Sequence, residues 1–404
     1  MIDKLVRIKI SVFSLAFFVS MISCTQNDLP QGTETFDGGI VFTSPYSITR
    51  SEALRYGSFK EGDKVGVLGY CEAKNQGVDI SSSPWDTKKP FCTPDVFYNQ
   101  ELTYQGEGLW SYTWSGTGNV GGGIHPWIKD NEGYTYSFFA YYPYVKINPD
   151  TNKGEIGSLE KNGGTITLSG ENEKDNPTIT YTMPHNGNST DDMLEWKNVP
   201  DFMLAYRVDH VKSDGVVRLP FRHLFCAFEF RVNNYNETPV TIGGLRVSGK
   251  NFYKSVTVTG QESGYHVGDD RYSGYFDVIS TYGNGFVCPE GKIIQDTDGN
   301  IIEVIPTTVS ITTDGSATAE GDPIDLLFIP DGNGKLTEDP NESLYLNIKI
   351  NELDIQKSMN LKDASFEPGV RSVFNINIVG NDIYLQVEST GNWDDGGDSD
   401  IVFE

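Results

Sequence analysis

Apolar and polar residues alternate along most of the chain in short stretches. Val, Ile, Thr, Tyr and Phe recur at every second position, and Gly, Asn, Asp and Pro break the runs. A period of two belongs to a strand with one face turned inward. Tyr134, Tyr136, Phe138 and Ala140 share a face before Pro143 ends the run, and Thr165–Leu168 and Thr178–Thr182 repeat the pattern. The strongest case spans Leu224 to Val232, with Leu224, Cys226, Phe228, Phe230 and Val232 on the apolar face and Glu229 and Arg231 opposite. Later runs cover Leu344–Ile350 and Val373–Ile378, the latter behind the turn signal Pro368-Gly369.

No stretch carries the 3.6-residue period of an amphipathic helix. Many short strands without helical crossovers predict an all-β chain built of antiparallel sandwiches with Greek-key connections. A chain of 404 residues exceeds one such unit, so two tandem domains are expected. The boundary falls near 252, giving an N-terminal sandwich at 51–252 and a C-terminal one at 253–404. Gly116–Gly123 and Asp296–Asn300 read as loops within them.

The N-terminus breaks the pattern. Lys4, Arg7 and Lys9 precede an apolar run from Ile10 to Met21, which is the length of a signal-peptide core and too short to span a bilayer. The run ends in Met21-Ile22-Ser23-Cys24, close to a lipobox, with Met where Leu is usual. Residues 1–23 are therefore expected to be a signal peptide and Cys24 the lipid carrier. The lipid would be the chain's attachment to a membrane.

Charge and cysteine content narrow the function classes. The net charge is −25, and loss of residues 1–23, with Lys4, Arg7 and Lys9 against Asp3, makes the mature chain more negative still. Such a chain is repelled by nucleic acid, which is excluded as a partner. Besides Cys24 there are Cys71, Cys92, Cys226 and Cys288, without metal-ligand spacing. Cys226 lies in an apolar strand as a buried thiol, while Cys71 and Cys92 are able to pair only if the fold brings them to disulfide geometry.

No catalytic set emerges. His125, His185, His210, His223 and His266 are scattered, and no nucleophile elbow, phosphate loop or dinucleotide fingerprint is present. His223 is expected to be a hydrogen-bonded structural residue. Asp296-Thr297-Asp298-Gly299-Asn300 and Asp394-Asp395-Gly396-Gly397-Asp398 lack the Glu that completes an EF-hand, and read as solvated turns. No cofactor and no metal site are expected, and the chain reads as a non-enzyme. Trp85, Trp110, Trp114 and Trp127 with Tyr104, Tyr112, Tyr134 and Tyr136 are either core residues or a sugar-stacking platform. Exposure of Trp110, Trp114 and Trp127 in one plane would mark a glycan-binding lipoprotein of a polysaccharide-uptake system.

The order of segments resembles the fimbrillin family of Bacteroidales surface lipoproteins, in its Mfa-like branch. The pieces are Cys24, Gly39-Ile40-Val41-Phe42, Ile48-Thr49-Arg50-Ser51, Phe59–Val67, Tyr136–Pro143, Asp201–Ala205, Leu219–Leu224, Leu326–Pro330 and Phe366–Gly369. That resemblance implies two transthyretin-like sandwiches and a role as a subunit or tip adhesin of a type V pilus. It further implies partners: other pilus subunits joined by strand exchange, an Arg-specific protease, and a surface glycan or protein bound by an adhesin. Arg50 lies between a candidate first strand, Ile40–Thr43, and the next segment at Phe59, so cleavage is expected after Arg50, with Arg55 as the alternative. Residues 24–50 would then be a propeptide segment. The donor strand is expected either at Ile383, Leu385 and Val387 or at Ile401 and Phe403; either segment could equally pair within its own domain.

Overall fold

The computed structural model describes residues 39–44, 59–75, 77–114, 123–127, 133–158, 161–174, 177–184 and 199–236. Beyond these it describes 240–248, 252–259, 277–283, 309–311, 317–318, 324–328, 344–350, 353–359, 370–380 and 382–392.

Within them the strands are β1 (Phe42–Thr43), β2 (Lys64–Tyr70), β3 (Lys74–Asn75), β4 (Val78–Asp79), β5 (Phe97–Tyr104), β6 (Leu109–Ser111), β7 (Tyr136–Tyr142) and β8 (Lys153–Ser158). There follow β9 (Lys161–Leu168), β10 (Thr178–Thr182), β11 (Met203–His210), β12 (Val217–Arg218), β13 (Arg222–His223), β14 (Cys226–Asn234), β15 (Val240–Ser248) and β16 (Phe252–Thr259). The rest are β17 (Asp277–Gly283), β18 (Val309–Ile311), β19 (Ala317–Thr318), β20 (Ile324–Phe328), β21 (Leu344–Ile350), β22 (Leu353–Met359), β23 (Val370–Val379) and β24 (Asp382–Asn392). The α-helix α1 is one turn, Trp85–Lys88. The chain is all-β, as its period of two requires.

An eight-stranded sheet has the order β12-β1-β6-β5-β2-β7-β11-β13. Val217 of β12 and Met203 and Ala205 of β11 belong to one buried cluster with Val65, Val67, Leu102, Phe138 and Ala140. Strands from opposite parts of the order thus share a core, so the sheet folds around it. β7 is central and buried on both faces: Ala140 lies in this cluster, while Phe139 packs on Tyr70 and Trp85 and the Tyr141 hydroxyl donates to Asn99 Oδ1 at 2.6 Å.

Buried Lys88 ties α1 to the sheet. Its ammonium donates to the carbonyls of Cys71 (3.2 Å), Ser81 (3.3 Å) and Thr135 and to Thr135 Oγ1 (2.8 Å), which supplies acceptors a buried cation needs.

The remaining sheets are β17-β16-β10-β9-β8, β20-β14-β23-β24 and β19-β18-β15-β21-β22, with a β3-β4 hairpin. β14 and β15 precede residue 252 yet pair with strands of the C-terminal half, while β16 pairs back to β10. The strand expected at Leu224–Val232 begins at Cys226, because Leu224 and Phe225 carry the chain out of the eight-stranded sheet, whose last strand is β13.

Candidate functional site

β1 sits one place in from the edge of the eight-stranded sheet, antiparallel to β6 and parallel to β12. Its residues alternate as a strand between two neighbours must. Ile40 and Phe42 lie in the core cluster at 0% exposure, while Val41 and Thr43 are buried as well. Backbone bonds fasten both sides: Ile40 N donates to His125 O (2.8 Å) and Ser44 N to Gly108 O (2.8 Å), and Val217 N and Leu219 N donate to Val41 O (2.8 Å) and Thr43 O (2.7 Å).

Side chains reinforce the ladder. The Tyr112 hydroxyl donates to Ile40 O at 2.7 Å while accepting from His125 N at 3.0 Å, and Trp110 Nε1 donates to Ser44 Oγ at 2.7 Å. The Phe42 ring enters an aromatic seat made by Phe97, Tyr112 and Phe138, with centroids at 5.8, 5.9 and 5.3 Å. Burial of Ile40 and Phe42 is worth about 1.5–3 kcal/mol each.

Two glycines set how closely the segment fits. At Gly108, with φ of +79°, a Cβ would lie 2.5 Å from Ser44 O, so only glycine allows this approach. At Gly39 a Cβ would lie 2.3 Å from Ile124 Cγ2 and 3.0 Å from Ile124 Cβ, so a side chain there forces Ile124 to shift.

His125 closes one end of the seat, its ring tilted against Trp114 (4.2 Å) and edge-on to Phe97 (5.1 Å), with Nδ1 2.5 Å from Pro126 O. Burial holds its imidazole below the ordinary value, the Pro126 carbonyl working against that. Where the chain resumes at Phe59, its ring packs on Trp110 (4.9 Å), Phe221 (5.0 Å), Tyr142 (5.4 Å) and Tyr104 (5.8 Å).

The arrangement is a strand seat: two hydrogen-bonding edges flanking an apolar floor. Its residues come from β5, β7, β12, the stretches on either side of β6 and the loop that carries His125, and sequence reasoning singled out Ile40–Thr43 without finding the seat. The alternation of Val217, Leu219 and Phe221 was the available signal.

Cys24, Arg50, Arg55, Ile401 and Phe403 lie outside the described residues. Ile383, Leu385 and Val387 lie in β24, which pairs with β23; Ile383 is buried at 2% opposite Ile378. Trp110 and Trp127 are buried and Trp114 packs half-buried on the core, so they form no exposed plane.

His223 is buried, with Nδ1 2.7–2.9 Å from the Asp201 carboxylate, the hydrogen-bonded structural role expected of it. Cys71, Cys92 and Cys226 are buried and in no disulfide, and burial pushes the thiols of Cys71 and Cys92 up to about 12. Among the described residues no group of His, Cys, Asp and Glu is placed to hold a metal.

A family model described as fimbrillin-like matches residues 49–393. Fimbrium subunit Fim1C of Phocaeicola vulgatus is 25% identical over 418 residues, covering 96% of this chain and 97% of that one. Among solved structures, a fimbrial protein from Bacteroides vulgatus superposes with a TM-score of 0.46 at 20% identity, covering 81% of this chain and 92% of that one. A putative cell adhesion protein from Bacteroides uniformis gives 0.45 at 13% identity, over 88% and 98% of the two chains.

Proposed function

The chain belongs to the fimbrillin-like family, and from that membership we propose that it is a pilus subunit, stalk or tip, that joins its neighbours by strand exchange. The family is structural, and the chain is not an enzyme. Export as a precursor lipidated at Cys24 delivers it to the outer membrane. Cleavage after Arg50 by an Arg-specific protease then removes residues 24–50 and frees the subunit for the fimbrium; a subunit never cut stays as an anchor.

The observation that carries this is the place of β1. Residues 39–44 precede Arg50 in the chain and fill a seat between β6 and β12. Removing them uncovers the Phe42 seat and strips partners from His125 O, Gly108 O, Val217 N and Leu219 N. Unpaired strand edges beside an apolar floor are what β-augmentation needs, and a neighbour's strand supplies both the hydrogen bonds and the side chains. The intact precursor is inert because its seat is full.

Limited digestion of the purified full chain with an Arg-specific protease tests this. A new N-terminus at Ser51 with a ladder of multimers is expected. Cleavage at Ser51 that yields only monomers would rule strand exchange out.

A further inference from the structure

We infer that the solvent face at the corner where β23 turns into β24, carried by Tyr235 and Tyr384, is a binding site for a neutral oligosaccharide. This goes beyond the assembly role proposed above and does not depend on it.

The tryptophans singled out from the sequence are spent on the core, and the exposed rings lie elsewhere. Among the described residues, Tyr235 and Tyr384 are the aromatic members of the set of exposed large apolar side chains, at 66% and 58%, and exposed Val379 belongs to the same corner.

The strand register places the three together. Tyr384 of β24 is opposite Asn377 of β23, and Val379 is opposite Asp382. Tyr235 follows the Asn234–Ile378 pair of the parallel β14–β23 ladder by one residue, which sets it level with Val379. Ile378 and Ile383, at the alternate positions, are buried, so Val379, Asp382 and Tyr384 turn to solvent. Asn375 and Asn377 are half-buried at the positions that alternate with Val379 along β23. Two strand spacings across and two residues along separate the tyrosine Cα atoms by roughly 12 Å. A short oligosaccharide spans that gap and a single monosaccharide does not.

The rings are held in place without a ligand. Tyr235 N donates to Ile378 O at 2.9 Å, the Asn236 amide donates to Gly380 O at 3.1 Å, and Gly380 N donates back to Asn236 Oδ1. These bonds tie the end of β14 to the turn after β23, so binding has little backbone left to order.

The chemistry of the face selects the ligand. A sugar has an apolar ring face, which an exposed aromatic ring covers, and a rim of hydroxyls, to which Tyr hydroxyls and Asn amides both donate and from which they accept. A second protein finds too little to grip: three apolar side chains fall far short of the ~800 Å² that each partner gives to a stable protein interface. Charge disfavours acidic glycans, since the chain carries −25 and Asp382 is exposed beside Val379.

The test takes the uncut full chain to an array of neutral and acidic oligosaccharides and measures each hit by titration calorimetry. Wild type is expected to bind at least one neutral oligosaccharide, and Tyr235→Ala and Tyr384→Ala each to weaken that binding by at least ~10-fold. Tyr384→Phe, which keeps the ring, is expected to bind more tightly than Tyr384→Ala. Val78→Ala, at an exposed position in β4, is expected to change nothing. Both tyrosines are exposed, and an unchanged urea midpoint checks that each variant is folded. Silence across the array, binding to acidic glycans alone, or affinity that survives the double substitution Tyr235→Ala with Tyr384→Ala overturns the inference. Self-association of the uncut chain that the double substitution abolishes also overturns it, because the patch is then a protein contact. No cleavage is involved, so each of these results leaves strand exchange standing, and a chain that begins at Ser51 and stays monomeric leaves this site standing.

Discussion

Phe42→Ala in the uncut chain isolates the hold of β1 on its seat. The ring has no exposure and meets three aromatic neighbours that belong to β5, β7 and the stretch after β6. Truncating a buried Phe to Ala costs about 3–5 kcal/mol, because its partners cannot collapse fully into the space left. Most of that loss should appear as easier detachment of β1. The order β6-β5-β2-β7-β11-β13 stays continuous without it.

At about 1.4 kcal/mol per tenfold, the detached state gains roughly two to three and a half orders of magnitude in population. Native-state hydrogen exchange reads this at two amides. Val217 N and Leu219 N donate to Val41 O and Thr43 O, so they exchange when β1 leaves. Their exchange should accelerate by at least a hundredfold, while that of Gly66 and Leu68 in the β2–β7 ladder changes far less. Equal acceleration of all four amides, or none at Val217 and Leu219, would refute the claim that β1 opens as a local unit.

Gly108→Ala should lower stability by about 1–3 kcal/mol in urea denaturation, since it combines a left-handed φ with a backbone oxygen 2.5 Å from the new Cβ. Lys88→Leu leaves the carbonyls of Cys71, Ser81 and Thr135 short of a buried donor and should cost at least about 2 kcal/mol by the same measurement. The thiols of Cys71, Cys92 and Cys226 should resist a thiol-specific reagent at pH 8 until denaturant is added, with labelled sites located by mass spectrometry. His125 has a folded pKa below its unfolded value, so its contribution is complete above about pH 6.5 and is lost as pH falls through the folded value. Wild type should therefore lose stability relative to His125→Phe between pH 7 and 5, by no more than about 1.4 kcal/mol per pH unit. Asp95, raised to about 6 by burial, titrates in the opposite sense in both proteins and cancels in the difference.

The fold class was legible because a period of two survives any arrangement of strands. Thr178–Thr182 alternates in exposure as its residues alternate in polarity. The pairing partners were not legible, since a strand's period does not say which edge it meets. β14 and β15 look no different from strands of the N-terminal half, yet they pair with β23 and β21. The seat was hidden for the same reason. Tyr112, His125 and Val217 are far apart in sequence and converge only because β1 runs between β6 and β12. The aromatics pointed the wrong way for glycan binding: Trp110 is spent on Ser44 and the Phe59 cluster, and Trp127 on Tyr136 and His210.

The position of β1 in the sheet suits a removable part. A strand in the middle, such as β2, is buried on both faces and paired along its length with β5 and β7, so its loss would split the sheet and its core. An outermost strand would be easy to lose but would leave one bare edge and no slot. β1 is flanked on its outer side by β12, only Val217–Arg218. That short strand is enough to turn the vacated place into a two-sided slot, with backbone hydrogen-bonding partners on both walls. Lengthening β12 would bind an incoming strand more tightly, but it would also hold β1 more firmly after cleavage and slow its departure. On the exchange proposed above, the two-residue wall suits a seat that is emptied once and refilled once. Its test is kinetic: weakening that wall by Leu219→Ala should speed release of the cut segment and, in the same measure, weaken the finished polymer. A variant that changed one rate without the other would show that departure and refilling use different contacts.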